Sequence, residues 1–226
     1  MFINLLHLKI ESEISFMLKL KIKASQITNL TDARYFAAKE VNWLSFNFAE
    51  KTENYIEPMR ARAMFDWVEV PHIVGEFDGF DADAVNFYAE NWGIKAVQIG
   101  EKTEAFDVKS AHILKEISVE SHTTADILRG LLSPLKNIVA AFQLNFDAHH
   151  LSFSAIKNNT YALDVADLSS LCCEFNIILN IDFQLVELED IINLNPFGLS
   201  LKGGEEERVG VKSYDELDEI FDTLEI

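Results

Sequence analysis

A short apolar run, a turn and an amphipathic stretch recur along most of this chain, and this alternation limits the possible folds more than any other feature. Candidate strands lie at residues 18–22, 43–48, 72–77, 96–99, 112–119, 138–146, 176–181 and 198–201. The stretches between them carry helical periodicity, as at Ala33, Phe36, Ala37 and Val41. Strands that alternate with helices predict an α/β protein with a parallel sheet. The alternation leaves two architectures open, a closed (β/α)8 barrel and an open doubly wound sheet.

The second candidate strand shows which side chains would face a barrel interior. Leu44, Phe46 and Phe48 share one face, which predicts packing against outer helices, while Ser45 and Asn47 share the other. The same reasoning gives an inward polar set of Ser45, Asn47, Gln98, Gln143 and Asn145. Polar groups are costly to bury without partners. We therefore expect these amides to bind one another, ordered water or a polar ligand.

Several helix starts are marked by capping residues. The segment 29–32 offers an N-cap with Asp32 in the first turn of the helix that follows. Asp81 is expected to cap the helix after the third candidate strand, and residues 213–216 form a capping box for the last helix. Further helices are expected at residues 57–67, 123–132, 167–174 and 184–194. Residues 147–160 have no clear period, and residues 161–165 fit either a short strand or the approach to a helix.

Composition excludes several classes of partner. The chain has 19 Lys and Arg against 37 Asp and Glu, a net charge of −18, which disfavours nucleic acid and anionic membrane surfaces. It contains no run of about 18 apolar residues that would cross a bilayer. Cys172 and Cys173 are adjacent, so a disulfide between them is not expected, and Cys173 is predicted to lie in the core. A reduced, cytoplasmic protein is the simplest interpretation.

Residues 1–16 mix apolar and acidic positions and have no small-residue cleavage site, which argues against a secretory signal. Met17 immediately precedes the first candidate strand. We expect an N-terminal extension over residues 1–16 and one domain over residues 17–226. A misplaced start codon and a true structural extension both explain these first residues.

Four segments, in the right order, resemble the phosphoribosylanthranilate isomerase family. They are K-I at 21–22 with I-T-N-L-T-D-A at 27–33, L-S-F-N-F at 44–48 with Y-I and P at 55–58, A-V-Q-I-G at 96–100, and G-L-S-L-K-G-G-E at 198–205 with G-V-K-S at 210–213. The resemblance implies a (β/α)8 TIM barrel with a short N-terminal extension. It also implies isomerisation of N-(5'-phosphoribosyl)anthranilate in tryptophan biosynthesis, an aldose–ketose isomerisation that needs no cofactor and no metal.

The family's reactive residues are largely replaced. Lys23 stands where the resemblance places the catalytic cysteine base, and Asn54 stands where it places the arginine that holds the anthranilate carboxylate. The family's histidine after the fourth strand is missing, because Gly100 follows Ile99 directly. Asp147 is the candidate for a displaced general acid, and capping of the following turn is the alternative role for it.

The phosphate-binding loops that the resemblance implies are also depleted. After the seventh strand Ile181 and Asp182 replace an expected glycine pair, and an aspartate there would repel a phosphate. Gly203 and Gly204 remain, with Lys202 beside them, as candidate ligand-binding residues together with Asn54. The glycine pair has a second explanation, because a strand-to-helix turn can require a positive φ.

These observations leave three functions open. The chain is an isomerase of this family, a barrel that binds another small polar molecule at its C-terminal face, or a non-catalytic interaction protein. A homodimer is an expected assembly. The adjacent His149 and His150 would point to opposite sides of an extended chain, so no metal site is expected.

Overall fold

Eight parallel strands close into a barrel in chain order. The structure is a computed structural model that describes residues 18–52, 54–68, 71–204, 206–208 and 211–226. The strands are β1 Lys21–Ser25, β2 Trp43–Asn47, β3 His72–Glu76, β4 Ala96–Ile99, β5 His112–Ser118, β6 Ala141–Asn145, β7 Ile177–Asn180 and β8 Gly198–Lys202. A further two-stranded antiparallel ribbon joins β9 Glu206–Arg208 to β10 Val211–Lys212.

Helices connect the strands and surround the barrel. They are α1 Leu30–Ala38, α2 Pro58–Phe65, α3 Ala82–Trp92, α4 Ala125–Leu132, α5 Phe153–Lys157, α6 Val165–Glu174, α7 Leu188–Asn193 and α8 Asp215–Leu224. Among the helices of the described residues, none has both the length and the apolar character that crossing a bilayer requires.

Closure of the sheet decides between the two architectures. Strand β1 pairs in parallel with β2 and also with β8, where Lys23 lies opposite Ser200. An open doubly wound sheet would leave β1 and β8 without this pairing. The barrel prediction is therefore confirmed.

The two faces of each strand pack differently, as the alternation in β2 predicts. Outward, Phe46 packs edge-to-face on Phe65 of α2, with ring centroids 5.1 Å apart, and Phe48 contacts Trp92 of α3 at 5.5 Å. Inward, a small separate apolar cluster fills the barrel near the strands' amino ends: Val74, Ala96, Leu114, Ala141 and Ile178, with Trp43 and Phe197 against it. The polar inward residues lie nearer the carboxyl ends.

The first strand begins later than its apolar residues indicate. It spans Lys21–Ser25 rather than residues 18–22, and Leu18 instead makes an antiparallel bridge with Glu225. A buried lysine and serine belong to the strand, and hydrophobic patterning cannot anticipate them. Residues 1–16, expected as an extension, lie outside the described residues.

The weakly patterned region after β6 contains short helices. Asp147–His149 forms a 3-10 turn and α5 follows, while residues 161–164 are the approach to α6. Asp164 caps α6 through a capping box with Asp167. The strand alternative for this segment is therefore wrong.

Two local predictions need correction. Helix α8 begins one residue later than a box starting at Ser213 requires, since its N-cap is Tyr214 and the Ser213 hydroxyl accepts from the Asp215 N–H at 3.3 Å. The prediction that Cys173 lies in the core is wrong, because Cys173 is exposed on α6 and Cys172 is the buried one. Adjacent helical residues are about 100° apart, so only one of the pair can face the barrel.

Candidate functional site

The carboxyl ends of the strands meet at one opening, which we call the mouth. In barrels of this architecture, residues at these strand ends form the active site. Inward-facing side chains here are almost all polar: Lys23, Ser25, Ser45, Asn47, Glu76, Gln98, Glu116, Gln143, Asn145, Asn180 and Ser200. The inward polar set predicted from the sequence lies within this group.

One half of the polar layer is built around Glu76. The Lys23 ammonium, fully buried, lies 2.7 Å from the Glu76 carboxylate, which also accepts a hydrogen bond from the Ser45 hydroxyl at 2.6 Å. Lys23 also reaches Ser25, whose hydroxyl contacts that of Ser200 across the β1–β8 seam. Lys23 is thus engaged in an ion pair inside the barrel, in the position that the resemblance gives to a catalytic thiol.

The other half is built around Glu116. Its carboxylate accepts from the side-chain amides of Gln98 at 2.6 Å, Gln143 at 2.9 Å and Asn145 at 3.1 Å. Burial raises the pKa of Glu116, and the charge of Glu76 raises it further, while the Asn145 hydrogen bond opposes the shift. A carboxyl group with a raised pKa, in a cavity at the mouth, is the type of group that proteins use for proton transfer and ligand binding.

Two buried acceptors in this layer lack a partner. The side-chain oxygens of Gln98 and Gln143 accept no hydrogen bond from any residue that the structure describes. An unpaired buried carbonyl loses about 1–3 kcal/mol of solvation. These oxygens therefore favour a hydrogen-bond donor in the adjacent space.

That space is a cavity of about 200 Å³, which we call the inner lobe. Glu76, Gln98, Glu116 and Gln143 line its floor, and Asn54 lies at its rim. Asn54, predicted as a ligand-binding residue, is thus placed at the mouth. Its neighbour Thr52 accepts from the Asn47 amide at 3.0 Å, which fixes this part of the rim.

Gly100 stands where the resemblance implies a histidine, and the Asp78 carboxylate occupies the space beside it. A Cβ added at Gly100 would lie 2.1 Å from the Asp78 carboxylate. The loop itself is held by Lys115, which donates to the Gly100 carbonyl at 2.7 Å and to the Thr103 carbonyl at 3.0 Å. Burial lowers the pKa of Lys115. An acid rather than an imidazole therefore faces the inner lobe on this side.

A second, larger cavity of about 490 Å³ adjoins the inner lobe and shares Asp147 and Asn180 with it. We call it the outer lobe. Its acidic lining residues are Asp147, Asp182, Asp215 and Glu216, and Lys202 is the one basic side chain among the described residues that line it. Lys202 lies 2.7 Å from the Asp147 carboxylate, so its charge is already balanced.

Asp147 does not cap the turn that it begins. The Asn145 side chain accepts from the Ala148 N–H at 3.0 Å and performs that role, while the Asp147 carboxylate faces Lys202 across the mouth. The capping alternative is therefore wrong. The structure brings Asp147 and Lys202 together as an ion pair between the two lobes.

Packing accounts for Gly203 and Gly204. A Cβ at Gly203 would lie 2.6 Å from the Asp32 carboxylate, and a Cβ at Gly204 would lie 2.1 Å from the Ser213 carbonyl. Neither glycine has a positive φ, so that part of the sequence argument is wrong. Asp32 is buried and holds both Lys212 and Tyr214 at 2.6 Å, which makes this contact rigid.

Sequence reasoning missed Glu76 and Glu116, which organise the site. A signal was present, since each lies two residues after an inward apolar residue, Val74 and Leu114, and so shares its face. A carboxylate on the inner face of a buried strand needs a partner. No group of three or more potential metal-ligating side chains occurs in the part of the chain that the structure describes.

Comparison with known proteins supports the barrel fold. Neither a protein-family model nor a curated protein sequence matches the chain. Among solved structures, phosphoribosyl anthranilate isomerase from Thermus thermophilus is similar at 22% identity, covering 91% of this chain and 98% of that one, with a TM-score of 0.69. The Thermotoga maritima enzyme gives 19% identity, 90% and 97% coverage and a TM-score of 0.71.

A 3-hexulose-6-phosphate synthase is also similar, at 9% identity and a TM-score of 0.61, covering 91% of this chain and all of that one. At these identities the likeness establishes the (β/α)8 fold, and the match covers about nine-tenths of this chain. The chemistry of the mouth has to be argued from its own residues.

Proposed function

We propose that this phosphoribosylanthranilate-isomerase-like barrel does not carry out the isomerisation and instead binds a different small polar molecule at its mouth. The observation that carries the proposal is the polar layer itself. It places two carboxylates, Glu76 and Glu116, with amides and a buried lysine, where the family resemblance implies a thiol base and anion-binding groups.

Lys23, which stands where the resemblance places the catalytic base, is the first point against isomerisation. Lys23 donates to Glu76 and Ser25 inside the barrel, so its ammonium group is committed to an ion pair. The free thiols of the described residues, Cys172 and Cys173, lie on α6 outside the barrel. General acid–base catalysis contributes about 10²–10⁴-fold in rate, and the described residues that line the mouth include no thiol to serve as the base that the resemblance implies.

The second point is the charge of the substrate. Phosphoribosylanthranilate carries a phosphate and a carboxylate. The outer lobe presents Asp182, Asp215 and Glu216, and its one described cation, Lys202, is paired with Asp147. Like charges at a shared site oppose binding.

Turnover of phosphoribosylanthranilate tests this proposal. We expect purified protein to convert the substrate no faster than buffer, under conditions in which the Thermus thermophilus enzyme is active. A rate above buffer that falls in the Asp147→Asn variant would contradict the proposal and restore Asp147 as a general acid. A thermal-shift screen of sugars, amines and sugar phosphates then identifies ligands, because a ligand that binds the native state raises the melting temperature.

Assembly and location form part of the same proposal. The Thermotoga maritima enzyme is described as dimeric, and a homodimer of this chain is the matching expectation. Size-exclusion chromatography with light scattering decides between one copy and two. Two free cysteines in the described residues fit a reducing, cytoplasmic compartment.

A further inference from the structure

We infer that the inner lobe is a site for a compact cation rich in hydrogen-bond donors, such as a protonated polyhydroxylated amine, with its ammonium group against Glu116. This inference rests on the function proposed above and specifies the ligand class. The charge of the inner lobe, its unpaired hydrogen-bond acceptors, the environment of Glu116 and the size of the cavity support it.

The acidic charge of the inner lobe favours a cation. Four carboxylic acids line the inner lobe, at Glu76, Asp78, Glu116 and Asp147, and its lining residues include no lysine, arginine or histidine in the described chain. Lys23 balances Glu76 and Lys202 balances Asp147. Asp78 and Glu116 have no basic group within 4 Å among the described residues. The cavity therefore carries an excess of negative charge that an anion would increase and a cation would reduce.

Hydrogen bonding is the second argument. The unpaired oxygens belong to Gln98 and Gln143, residues that are 6% and 2% exposed and that line the cavity. Their amide groups are committed to Glu116, so their carbonyls remain as acceptors. A ligand that satisfies them needs N–H or O–H groups. Ammonium and hydroxyl groups supply these donors, whereas a phosphate or carboxylate does not.

The choice of Glu116 as counter-ion is the third argument. Glu76 already has an ammonium partner in Lys23, and its Ser45 contact occupies the same oxygen. Among the described residues, Glu116 is held by neutral amides: Gln98 and Gln143 both donate to its Oε2 atom and Asn145 donates to its Oε1 atom, so Oε1 can accept a further hydrogen bond. A cation beside a buried carboxylate stabilises its charged form. Burial raises the pKa of Glu116, which is consistent with a carboxylate that has no cation beside it.

Size is the fourth argument. Sites for drug-sized ligands measure about 300–1,000 Å³. The inner lobe, at about 200 Å³, is smaller and fits a five- or six-carbon polyol rather than a sugar joined to an aromatic acid. Asp147 and Asn180 line both the inner and the outer lobe, so the two cavities adjoin at the mouth.

Two five-membered rings that differ in one group test the inference. Titration calorimetry at neutral pH compares 1,4-dideoxy-1,4-iminoribitol, a protonated amine, with 1,4-anhydroribitol, in which an oxygen replaces the nitrogen. Ribose 5-phosphate serves as the anionic probe. We expect the amine to bind at least about tenfold more tightly than the neutral ring, since a charge-assisted hydrogen bond exceeds a neutral one by about this factor.

The variant Glu116→Gln removes the charge and keeps the shape. It is expected to weaken binding of the amine by about tenfold or more and to change binding of the neutral ring by less than about threefold. Asp222→Asn is the matched control, because Asp222 is an exposed acid in the last turn of α8 and its change alters the net charge equally. Circular dichroism establishes that both variants are folded.

The outcomes separate the two proposals. Equal or weaker binding of the amine relative to the neutral ring, preference for ribose 5-phosphate, no binding of any of the three, or undiminished amine binding by Glu116→Gln would each overturn this inference. The wild-type comparison stands alone if the variant does not fold. Turnover of phosphoribosylanthranilate would instead overturn the proposed function.

Discussion

Lys23 and Glu76 form an ion pair across the inside of the barrel, with the Lys23 Nζ atom 2.7 Å from the Glu76 Oε1 atom. The two residues come from strands β1 and β3, which are separated by β2, so the pair spans the interior. Lys23 is fully buried and the Glu76 side chain is 12% exposed. The Ser45 hydroxyl, on the intervening strand, donates to the same carboxylate. Three neighbouring strands thus share one charged contact beneath the mouth.

Breaking this pair on one side should be strongly destabilising. Lys23→Met leaves the Glu76 carboxylate buried without its cation, a change that costs about 3–5 kcal/mol in comparable pairs. In the double variant Lys23→Met with Glu76→Gln no unpaired charge remains, and we expect it to recover part of this loss. Urea denaturation measures the free energy of unfolding.

The exposed pair of Lys19 and Glu189, 3.6 Å apart, supplies the control for that experiment. Lys19→Met should change the free energy of unfolding by less than about 1 kcal/mol, because solvent screens such pairs. If Lys23→Met is equally mild, the buried pair does not stabilise the barrel.

Glu116 should give the protein a distinctive dependence of stability on pH. Its pKa in the folded protein is raised above the ordinary 4.5, so the folded state holds this proton more tightly than the unfolded chain does. The resulting stability is complete below pH 4.5 and is lost as the pH rises through the folded-state pKa. Glu76, Asp78 and Lys23 are the charged groups that act on it.

The variant Glu116→Gln isolates this contribution. Its free energy of unfolding relative to the wild type should increase as the pH rises above 4.5, apart from a constant offset. The pKa of Glu174 is shifted in the opposite direction, because the Arg129 hydrogen bond lowers it. The relative stability of Glu174→Gln should therefore be flat above pH 4.5 and change only in acid. Identical profiles for the two variants would refute the assignment for Glu116.

Substitution of the glycine pair distinguishes packing from ligand contact. Gly204→Ala places a Cβ against the Ser213 backbone and Gly203→Ala places one against the rigid Asp32 carboxylate, so each should destabilise by about 1–3 kcal/mol. Gly130→Ala is the matched control, since this helical glycine in α4 has open space around it and should gain about 0.5–1 kcal/mol. Unchanged stability in Gly203→Ala and Gly204→Ala would show that packing does not require glycine at these positions.

The adjacent cysteines should react at very different rates. Cys173 is exposed, whereas burial raises the pKa of Cys172 to about 12 and removes its thiolate at neutral pH. We expect a thiol reagent such as dithionitrobenzoate to modify one cysteine in the native protein and both in denaturant. Loss of the fast reaction in Cys173→Ser identifies the residue, and its persistence there would show that Cys172 is accessible.

Helix caps could be predicted from the sequence, whereas the contacts within the site could not. Asn29 and Asp81 cap their helices as their positions in the sequence indicate, because a cap depends on residues three positions apart. Asn54 and Asp147 reach the mouth, but the partner of Asp147 is Lys202, from a strand two places along the barrel. Such pairing depends on the register and closure of the sheet, which no local pattern contains.

The sequence by itself determined the alternation of strands and helices, the faces of the strands and the inward polar amides, since all follow from periods of 2 and 3.6 residues. Only the tertiary structure decided that β1 pairs with β8 and that Lys23 forms an ion pair with Glu76. It also decided that the Glu116 carboxylate accepts hydrogen bonds from Gln98, Gln143 and Asn145. The physical reason is that a buried charge is tolerated only where distant strands bring it a partner, and that partner is fixed by three-dimensional closure rather than by neighbours in the chain.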